Sequence, residues 1–265
     1  MLTDSVERKY LLRIQDALEA AGTAVSEFLP GMFKTQDRGG RDVVTEVDRK
    51  VNDVLRNILL QPGEGWLSEE DADDHTRLSR EVVWIVDPLD GTREFVDGTP
   101  EWCISVGLSV CGTAVAGGIF NPATGERFIG SLGSGVTYNG CHVEPTRKTS
   151  LDGALVLASR QEYARGEWAI FEGKQFSIQA TGSVAYKLAL VSAGRADATW
   201  TLSPKNEWDV AAGVALANSA GCGVCCTQNA KLLFNQDKTL LPGLVASGKG
   251  IWGEVLQLVN PANTK

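Results

Sequence analysis

Apolar side chains near the start of the chain recur every three or four residues. This period predicts an amphipathic helix over residues 4–29, and Pro30-Gly31 is expected to end it. The apolar face of this helix consists of Leu11, Ile14, Leu18, Ala21, Val25 and Phe28. The same period predicts further helices at residues 45–60, 184–193, 208–220 and 250–258. Residues 34–41, rich in glycine and charged residues, predict a loop.

Shorter apolar runs between turn residues predict strands. In the first half these runs are residues 66–67, 82–87, 102–110, 113–120 and 127–130. Cys111-Gly112 joins two of them as a hairpin turn, so an antiparallel sheet is expected here. In the second half, predicted strands alternate with the helices and indicate a mixed α/β arrangement, at residues 154–158, 175–179, 196–201, 222–226 and 244–247.

Composition limits the class of protein. The 265 residues contain no linker-like segment, so we expect one compact domain, 1–265, with an antiparallel half at 1–150 and a mixed half at 151–265. A net charge of −8 without a basic run argues against a nucleic-acid polymer as a partner. The lack of about twenty consecutive apolar residues argues against a membrane span. The opening residues do not resemble a signal peptide, so we expect a cytoplasmic protein with reduced thiols.

The scarce residue types exclude several kinds of chemistry. His75 and His142 lie in loop-like segments, which disfavours a serine–histidine triad and a multi-histidine zinc site. Cys222, Cys225 and Cys226 form one cluster. Because no second cysteine pair or nearby histidine accompanies them, a core strand explains them better than zinc does. Any chemistry would therefore rest on carboxylates and a hard cation.

Residues 84–92, with the sequence WIVDPLDGT, bring two carboxylates to the end of a buried strand. Asp87 ends the apolar run, Pro88 forces a turn, and Asp90 follows. Gly91 permits a tight backbone, and Thr92 stands where the next helix would begin and where backbone N–H groups lack intrahelical partners. Carboxylates beside such N–H groups can hold a cation and an anion together. A capped turn remains the plainer interpretation of two aspartates alone.

Three other carboxylates stand at the ends of predicted elements. Glu69 follows the short strand at 66–67, Asp48 lies three residues after Thr45, and Asp209 lies in the first turn of a helix. Each also has a structural interpretation. These are a solvated acidic loop for Glu69, a capping box with Thr45 for Asp48, and a favourable helix dipole for Asp209.

Together these motifs resemble those of the inositol monophosphatase superfamily of magnesium-dependent, lithium-sensitive phosphatases. Residues 84–92 match its signature W-x-x-D-P-(apolar)-D-G-T in full. Residues 208–213 have the spacing of its W-D-x-x-A-G motif, and residues 68–70 and 44–48 match G/S-E-E and V-T-x-x-D. The matches extend from about residue 42 to 213 and thus cover most of the chain.

The resemblance implies a set of metal ligands. Glu69, Asp87 and the backbone carbonyl of Leu89 would hold one Mg²⁺. Asp87, Asp90 and Asp209 would hold a second, while Glu69 and water molecules would hold a third, weaker ion. Mn²⁺ is an expected substitute for Mg²⁺.

The resemblance also implies catalytic and phosphate-binding residues. The backbone N–H groups of Gly91 and Thr92 would bind the phosphate. Asp48 and Thr92 would orient or deprotonate the attacking water, with Glu69 also part of the catalytic set. In-line phosphoryl transfer needs little beyond such positioning and charge stabilisation.

The substrate is indicated by residues beyond the shared signature. Residues 92–95, with the sequence TREF, are similar to the 3'(2'),5'-bisphosphate nucleotidases of this superfamily, whereas residues 96–100 look more like its inositol-directed members. The first expectation is hydrolysis of 3'(2')-phosphoadenosine 5'-phosphate to AMP and phosphate. Inositol 1-phosphate, or another small sugar phosphate or histidinol phosphate, is the alternative. A non-catalytic regulator that binds metal or anions is a more distant alternative, because every candidate ligand is present.

Residues of the second half are candidate substrate contacts. Gly182-Ser183 with Lys187 resemble the nucleotidase branch, although a plain helix cap also explains Gly182-Ser183. Lys187 and Lys205 are candidates for binding a second phosphate, and solvated lysines explain them equally well. The resemblance implies a layered α-β-α-β-α sandwich of the α+β class, as in inositol monophosphatase and fructose-1,6-bisphosphatase-like sugar phosphatases. Its members often form homodimers.

Overall fold

The computed structural model describes residues 3–28, 35–37 and 43–260. Its helices are α1 (Asp4–Ser26), α2 (Glu46–Leu59), α3 (Thr92–Val96), α4 (Arg160–Ala164), α5 (Val184–Ser192), α6 (Glu207–Ser219) and α7 (Trp252–Val259). Its strands are β1 (Thr35–Asp37), β2 (Val43–Thr45), β3 (Gly65–Ser68), β4 (Val82–Asp90), β5 (Cys103–Val110), β6 (Thr113–Asn121), β7 (Glu126–Ser131), β8 (Gly135–Tyr138), β9 (Cys141–Val143), β10 (Leu155–Ser159), β11 (Ser177–Thr181), β12 (Ala198–Trp200), β13 (Lys205–Asn206), β14 (Gly223–Cys226), β15 (Leu240–Leu241) and β16 (Leu244–Ser247).

The first half forms a seven-stranded sheet in the order β3-β4-β5-β6-β7-β8-β9. Every neighbouring pair is antiparallel except β3 and β4, which are parallel. The predicted antiparallel meander is thus confirmed. At its β5–β6 hairpin, Cys111 and Gly112 have φ angles of 48° and 76°, as a two-residue type I′ turn requires. The apolar pattern does not predict β8 and β9, because these strands are short and lie among glycine-rich turns.

The second half forms a five-stranded sheet in the order β11-β10-β12-β16-β14. β10 pairs in parallel with both β11 and β12, and β16 pairs antiparallel with β12 and β14. This sheet, with helices between its strands in the chain, has the mixed α/β arrangement of strands and helices. Parallel strands place their carboxyl ends at one edge, so the segments after β10, β11 and β12 converge there.

The helices and sheets stack in layers. α1 and α2 pack on one face of the seven-stranded sheet. α5 and α6 lie between the two sheets, where Val214 of α6 belongs to one buried cluster with Val83 of β4 and Ala246 of β16. On the outer face of the five-stranded sheet, Val255 of α7 packs with Trp200. The order is therefore α-β-α-β-α, as expected.

Two paired glycines let α6 lie directly against the seven-stranded sheet. Gly107 of β5 and Gly117 of β6 are opposite each other. A Cβ atom at Gly107 would lie 2.8 Å from the Cβ atom of Ala211, and one at Gly117 would lie 2.6 Å from the carbonyl oxygen of Ala212. Neither distance is sterically possible. The first turn of α6, which carries Asp209, is thus held close to this sheet.

Several elements differ from the predictions, among them α1, which ends at Ser26 and not at residue 29, and β11, which is Ser177–Thr181 and not residues 175–179. β4 continues to Asp90 and does not end at Asp87, because its pairing with β5 resumes after an irregularity. The apolar pattern predicts no helix at α4, whose five residues are too few to show a period. Residues 35–37, placed in a loop from the sequence, pair as β1 with β2, and the rest of that predicted loop lies outside the described residues. In the described ranges no helix combines the length and apolar character needed to cross a membrane.

Candidate metal centre and active site

Three carboxylates meet where two strands end and one helix begins. Glu69 follows β3, Asp87 lies near the end of β4, and Asp209 lies in the first turn of α6. One oxygen from each carboxylate lies within 4.8 Å of the other two. β3 and β4 are parallel, with Ser68 opposite Val86. The residues that follow this pair therefore emerge side by side, which is the relation expected from the two strand ends.

Asp87 is the most deeply buried member of this cluster, with 2% of its surface exposed. Burial raises its pKa well above the ordinary value, and the neighbouring charges of Glu69, Asp90 and Asp209 raise it further. Carboxylates brought together in this way are costly unless a cation offsets their charge. Because all the donors are hard oxygens, the set fits Mg²⁺ or a similar hard divalent cation.

The irregular pairing of β4 with β5 determines the path of the backbone between Asp87 and Asp90. Asp87 is opposite Ser105 and Asp90 is opposite Cys103, so one extra residue lies on the β4 side. The N–H group of Leu89 donates a 2.9 Å hydrogen bond to the Asp87 side chain. The pairing therefore breaks at the position where Pro88 has no N–H group to contribute.

Asp90 is held from the second half of the chain. One of its oxygens, Oδ2, accepts hydrogen bonds from the Ser183 hydroxyl at 2.6 Å and from the Ala185 N–H group at 2.7 Å. Ser183 is the N-cap of α5, and its hydroxyl also accepts from the Tyr186 N–H group. The structure thus places Gly182-Ser183 beside a predicted metal ligand and also gives Ser183 the capping role.

The side chain of Asp209 both caps a helix and belongs to the carboxylate cluster. Its Oδ2 atom accepts a hydrogen bond from the Asn206 N–H group at 2.9 Å, which caps the start of α6. The same side chain reaches Glu69 and Asp87. A carboxylate has two oxygens with about four lone-pair sites, so capping the helix does not by itself prevent this side chain from binding a cation.

Asp48 and Thr92 lie together beside the cluster. Asp48 is in the first turn of α2 and is 3% exposed. The Thr92 hydroxyl lies 3.5 Å from Asp48 Oδ1 and 3.1 Å from the carbonyl oxygen of Leu89. The side chain of Thr45, the proposed partner in a capping box, lies outside the described residues. The structure therefore brings Asp48, Thr92 and Leu89 together as a connected group.

Gly91 has a conformation that few other residues adopt. Its φ angle is 99°, and an added Cβ atom would lie 3.1 Å from both the Glu101 carbonyl oxygen and the Cβ atom of Trp102. α3 begins directly after it. Both the backbone angle and the crowding thus require glycine here.

A polar pocket of about 210 Å³ is lined by Glu69, Asp87, Leu89, Asp90, Gly91, Thr92 and Asp209, whereas Asp48 is not among its lining residues. Gly182, Ser183, Lys187 and Lys205 line it with them, so the predicted substrate contacts share one cavity with the predicted metal ligands. The sequence argument misses other polar residues of the wall, namely Arg93, Glu94, Ser159, Arg160, Gln161, Thr181 and Thr201. Several of these lie at the carboxyl ends of β10, β11 and β12. The signal that could have found them is the convergence of parallel strand ends.

Lys187 differs from the solvated lysine that the sequence also allowed. It is 2% exposed, and its ammonium donates to the backbone carbonyls of Thr181, Ser183 and Gly182 at 3.1, 2.9 and 3.3 Å. Lys205, at the start of β13, is only partly buried. The two lysines therefore occupy different environments within one pocket.

The cysteine cluster lies in and before β14. Cys225 and Cys226 are buried there, and Cys222 precedes them. Burial raises the pKa of Cys222 to about 12 and that of Cys225 to about 11. Thiols that stay protonated are poor ligands for zinc, so their environment agrees with the core-strand interpretation.

Comparisons with known proteins agree with the geometry of this site. The sequence pattern of the inositol monophosphatase family matches residues 8–259. The inositol monophosphatase of Mesembryanthemum crystallinum is 30% identical over 226 residues, which are 80% of this chain and 83% of that protein. Thermotoga maritima IMPase superposes with a TM-score of 0.81 and 26% identity, covering 98% of both chains.

A further similar structure is CysQ from Bacteroides thetaiotaomicron, described as a bacterial member of the inositol monophosphatase family. It superposes with a TM-score of 0.75 and 27% identity, and covers 90% of this chain and 97% of that one. The match extends over both sheets and the cluster between them. The chain belongs to the inositol monophosphatase family, and it is a phosphatase that hydrolyses phosphoric monoesters.

Proposed function

We propose that this phosphatase removes the 3'(2')-phosphate of 3'(2')-phosphoadenosine 5'-phosphate, giving AMP and phosphate. The observation that carries this proposal is the presence of cationic side chains in the pocket. Arg160 and Lys205 line it together with the carboxylates, and Arg160 also forms an ion pair with Glu101. Cations beside the proposed metal site suit a substrate with a second phosphate group. A polyol leaving group needs only neutral hydrogen-bond partners.

We propose the metal ligands that the sequence resemblance implied. Glu69, Asp87 and the Leu89 carbonyl hold one Mg²⁺, Asp87, Asp90 and Asp209 hold a second, and Glu69 holds a third through water. The proximity of the three carboxylates and the burial of Asp87 support this assignment. When bound, such cations supply Lewis-acid stabilisation of the charge that develops on the reacting oxygens.

The remaining catalytic roles belong to residues of the chain itself. We assign the Thr92 hydroxyl and Asp48, with Glu69, to orienting the attacking water and receiving its proton. Their support is the short distance from Thr92 to Asp48 and the burial of Asp48, which keeps bulk water from competing. The N–H groups of Gly91 and Thr92 at the start of α3 are assigned to the phosphate, where a helix start favours negative charge.

Inositol 1-phosphate is the second candidate substrate, and two observations favour it. The hydroxyl groups of Ser159, Thr181 and Thr201 line the pocket and could meet the hydroxyls of a polyol. The described part of the lining contains no aromatic side chain on which an adenine could stack. The volume of about 210 Å³ is below the roughly 300–1,000 Å³ typical of drug-sized ligands, so either substrate would project partly from it.

The proposal is tested with a panel of phosphate esters in the presence of Mg²⁺. The panel contains 3'-phosphoadenosine 5'-phosphate, inositol 1-phosphate, fructose 1,6-bisphosphate and histidinol phosphate, and phosphate release gives kcat/KM for each. We expect the bisphosphonucleotide to be hydrolysed best. A higher kcat/KM for inositol 1-phosphate would overturn the first choice in favour of the second candidate.

We also propose a single folded unit, 1–265, that forms a cytoplasmic homodimer. Helices α5 and α6 contact both sheets, which supports one cooperative unit. All six cysteines are free, which supports a reducing compartment. One calorimetric unfolding transition and a dimer mass by light scattering are the expected results. A monomer mass, or two separate transitions, would contradict these assignments.

A further inference from the structure

The chain between β11 and α5 is an unusual turn. Ser183 has a φ angle of 49°, in the left-handed region that residues other than glycine rarely occupy. The carbonyl oxygens of Thr181, Gly182 and Ser183 all lie within 3.3 Å of the Lys187 ammonium. Three carbonyl dipoles directed at one point repel one another unless a cation lies between them.

Lys187 supplies that cation from within the fold. An ammonium group has three N–H donors, and the three carbonyls accept all of them. The side chain is 2% exposed, so bulk water does not replace these bonds. Burial lowers the pKa of Lys187 to about 8, and the Asp90 carboxylate opposes this shift. The charged form therefore predominates at neutral pH.

The turn that Lys187 closes also holds Asp90. The Ser183 hydroxyl and the Ala185 N–H group both donate to Asp90 Oδ2, at 2.6 and 2.7 Å. On the other side of the turn, the Gly182 N–H group donates to Glu101 at 2.7 Å. With one oxygen held by two donors, the direction of the other oxygen of Asp90 is fixed.

We propose that Lys187 is a positioning residue, which orients Asp90 toward the metal site by holding the 181–183 turn. This inference rests on the proposed role of Asp90 as a metal ligand. It replaces the direct contact with a second phosphate that the sequence suggested, because an ammonium that has used its three donors has none for a substrate. Lys205, which lines the same pocket, is then the lysine proposed to contact the leaving group.

The test measures binding of Mg²⁺ alone to the substrate-free protein by calorimetry, for the wild type, Lys187→Met, Ser183→Ala and the double variant. Loss of a group that orients a metal ligand typically weakens metal binding by roughly 10–100-fold. We expect at least a tenfold weaker affinity in Lys187→Met and a similar change in Ser183→Ala. The double variant should be little worse than Lys187→Met, because both residues act through one turn.

Kinetics on any ester that the wild type hydrolyses separate positioning from substrate contact. We expect Lys187→Met to need more Mg²⁺ for half-maximal rate and to keep its KM at saturating Mg²⁺. A raised KM with unchanged Mg²⁺ affinity, or independent effects of the two substitutions, would overturn the proposal. If the wild type itself bound no Mg²⁺, the proposed metal function would fail instead.

Thermal unfolding without metal shows whether each variant is folded. If Lys187→Met does not fold, Lys187→Gln replaces it, because an amide can still donate two hydrogen bonds to the same carbonyls. We expect Lys187→Gln to bind Mg²⁺ more weakly than the wild type. Wild-type affinity in a folded Lys187→Gln would refute the requirement for an ammonium at this position.

Discussion

Replacing Asp87 by asparagine should change the stability of the protein in opposite directions with and without metal. Asp87 is buried among carboxylates, and one oxygen of Asp87, Glu69 and Asp209 lies within 4.8 Å of the other two. In the absence of a cation, Asp87→Asn removes a buried charge that its neighbours repel. In the presence of Mg²⁺, the same change removes the carboxylate proposed to serve two cations.

The size of the effect without metal follows from the distances. Two unit charges 4.8 Å apart repel by about 3.5 kcal/mol at an effective dielectric constant of about 20. Because none of these separations exceeds 4.8 Å, two such neighbours repel Asp87 by about 7 kcal/mol or more while all three carboxylates are charged. Asp87 can escape part of this repulsion by taking up a proton, as the direction of its raised pKa indicates. We therefore expect Asp87→Asn to raise the free energy of unfolding by about 1–3 kcal/mol in the presence of a chelator.

Differential scanning fluorimetry in EDTA and in a Mg²⁺ series measures both effects. Each kcal/mol added to the free energy of unfolding should raise the Tm of a chain of this size by about 2–4 °C. At about 100 times its Kd, Mg²⁺ should stabilise the wild type by about 2.7 kcal/mol, and the variant by much less. The two Tm curves should cross as Mg²⁺ is added. Asp16→Asn, an exposed position on α1, is the control and should follow the wild type. A variant that is less stable than the wild type in EDTA, or that gains as much from Mg²⁺, would refute the reasoning.

Three further substitutions probe separate parts of the molecule. Thr92→Val should lower kcat by roughly 10²–10⁴-fold, measured at saturating Mg²⁺ and substrate, because the hydroxyl beside Asp48 is lost; Thr92→Ser keeps that hydroxyl and should retain most activity. Lys205→Met should raise KM for the bisphosphonucleotide about tenfold or more, as expected for a lost charge-assisted hydrogen bond, and leave KM for inositol 1-phosphate unchanged; equal effects on both esters would contradict its role. Glu64→Gln should lower the free energy of unfolding, measured in urea, by about 3–5 kcal/mol, because it leaves the buried guanidinium of Arg13 without its bidentate partner. Its activity at urea concentrations too low to unfold it should stay normal.

The Arg13–Glu64 pair also has a defined pH dependence. Burial alone would raise the pKa of Glu64, but hydrogen bonds from Arg13 and Trp84 outweigh it, and the pKa lies below the ordinary value of 4.5. A carboxyl group whose folded-state pKa is depressed stabilises the fold above its unfolded pKa and loses that contribution as the pH falls. The difference in stability between the wild type and Glu64→Gln should therefore shrink below about pH 4.5. A difference that is constant from pH 7 to pH 3 would contradict this account.

Local sequence signals marked Glu69, Asp87 and Asp209 as carboxylates at the ends of predicted elements, and the resemblance of the motifs then implied that they act together as metal ligands. Asp87 and Glu69 each follow an apolar run, and Asp209 begins a helix. Such signals belong to a few neighbouring residues and need no knowledge of the three-dimensional fold. The layered architecture came from the resemblance of the motifs, and the alternation of strands and helices agreed with it.

The rest of the pocket could not be predicted in this way. Arg160 lines the same pocket as the predicted metal ligands because β10, β11 and β12 end at one edge, which depends on strand order. Lys187 lies on α5, a helix that is buried between two sheets. Because this helix has no polar face, its sequence pattern does not show which of its positions point to solvent. A lysine in such a helix has the same local sequence signal whether it is solvated, binds a substrate or closes its own turn.

The position of the carboxylate cluster has a mechanical consequence. Asp87 lies in β4 of the seven-stranded sheet and Glu69 directly follows its strand β3, whereas Asp209 lies in the first turn of α6, which packs against both sheets. Asp90 is tied to the second half of the chain through Ser183. A cation with these ligands would be a non-covalent cross-link between the two halves, comparable to a disulfide that can be removed by chelation. Amide hydrogen exchange in α5, which carries none of the proposed ligands, would then report on metal binding.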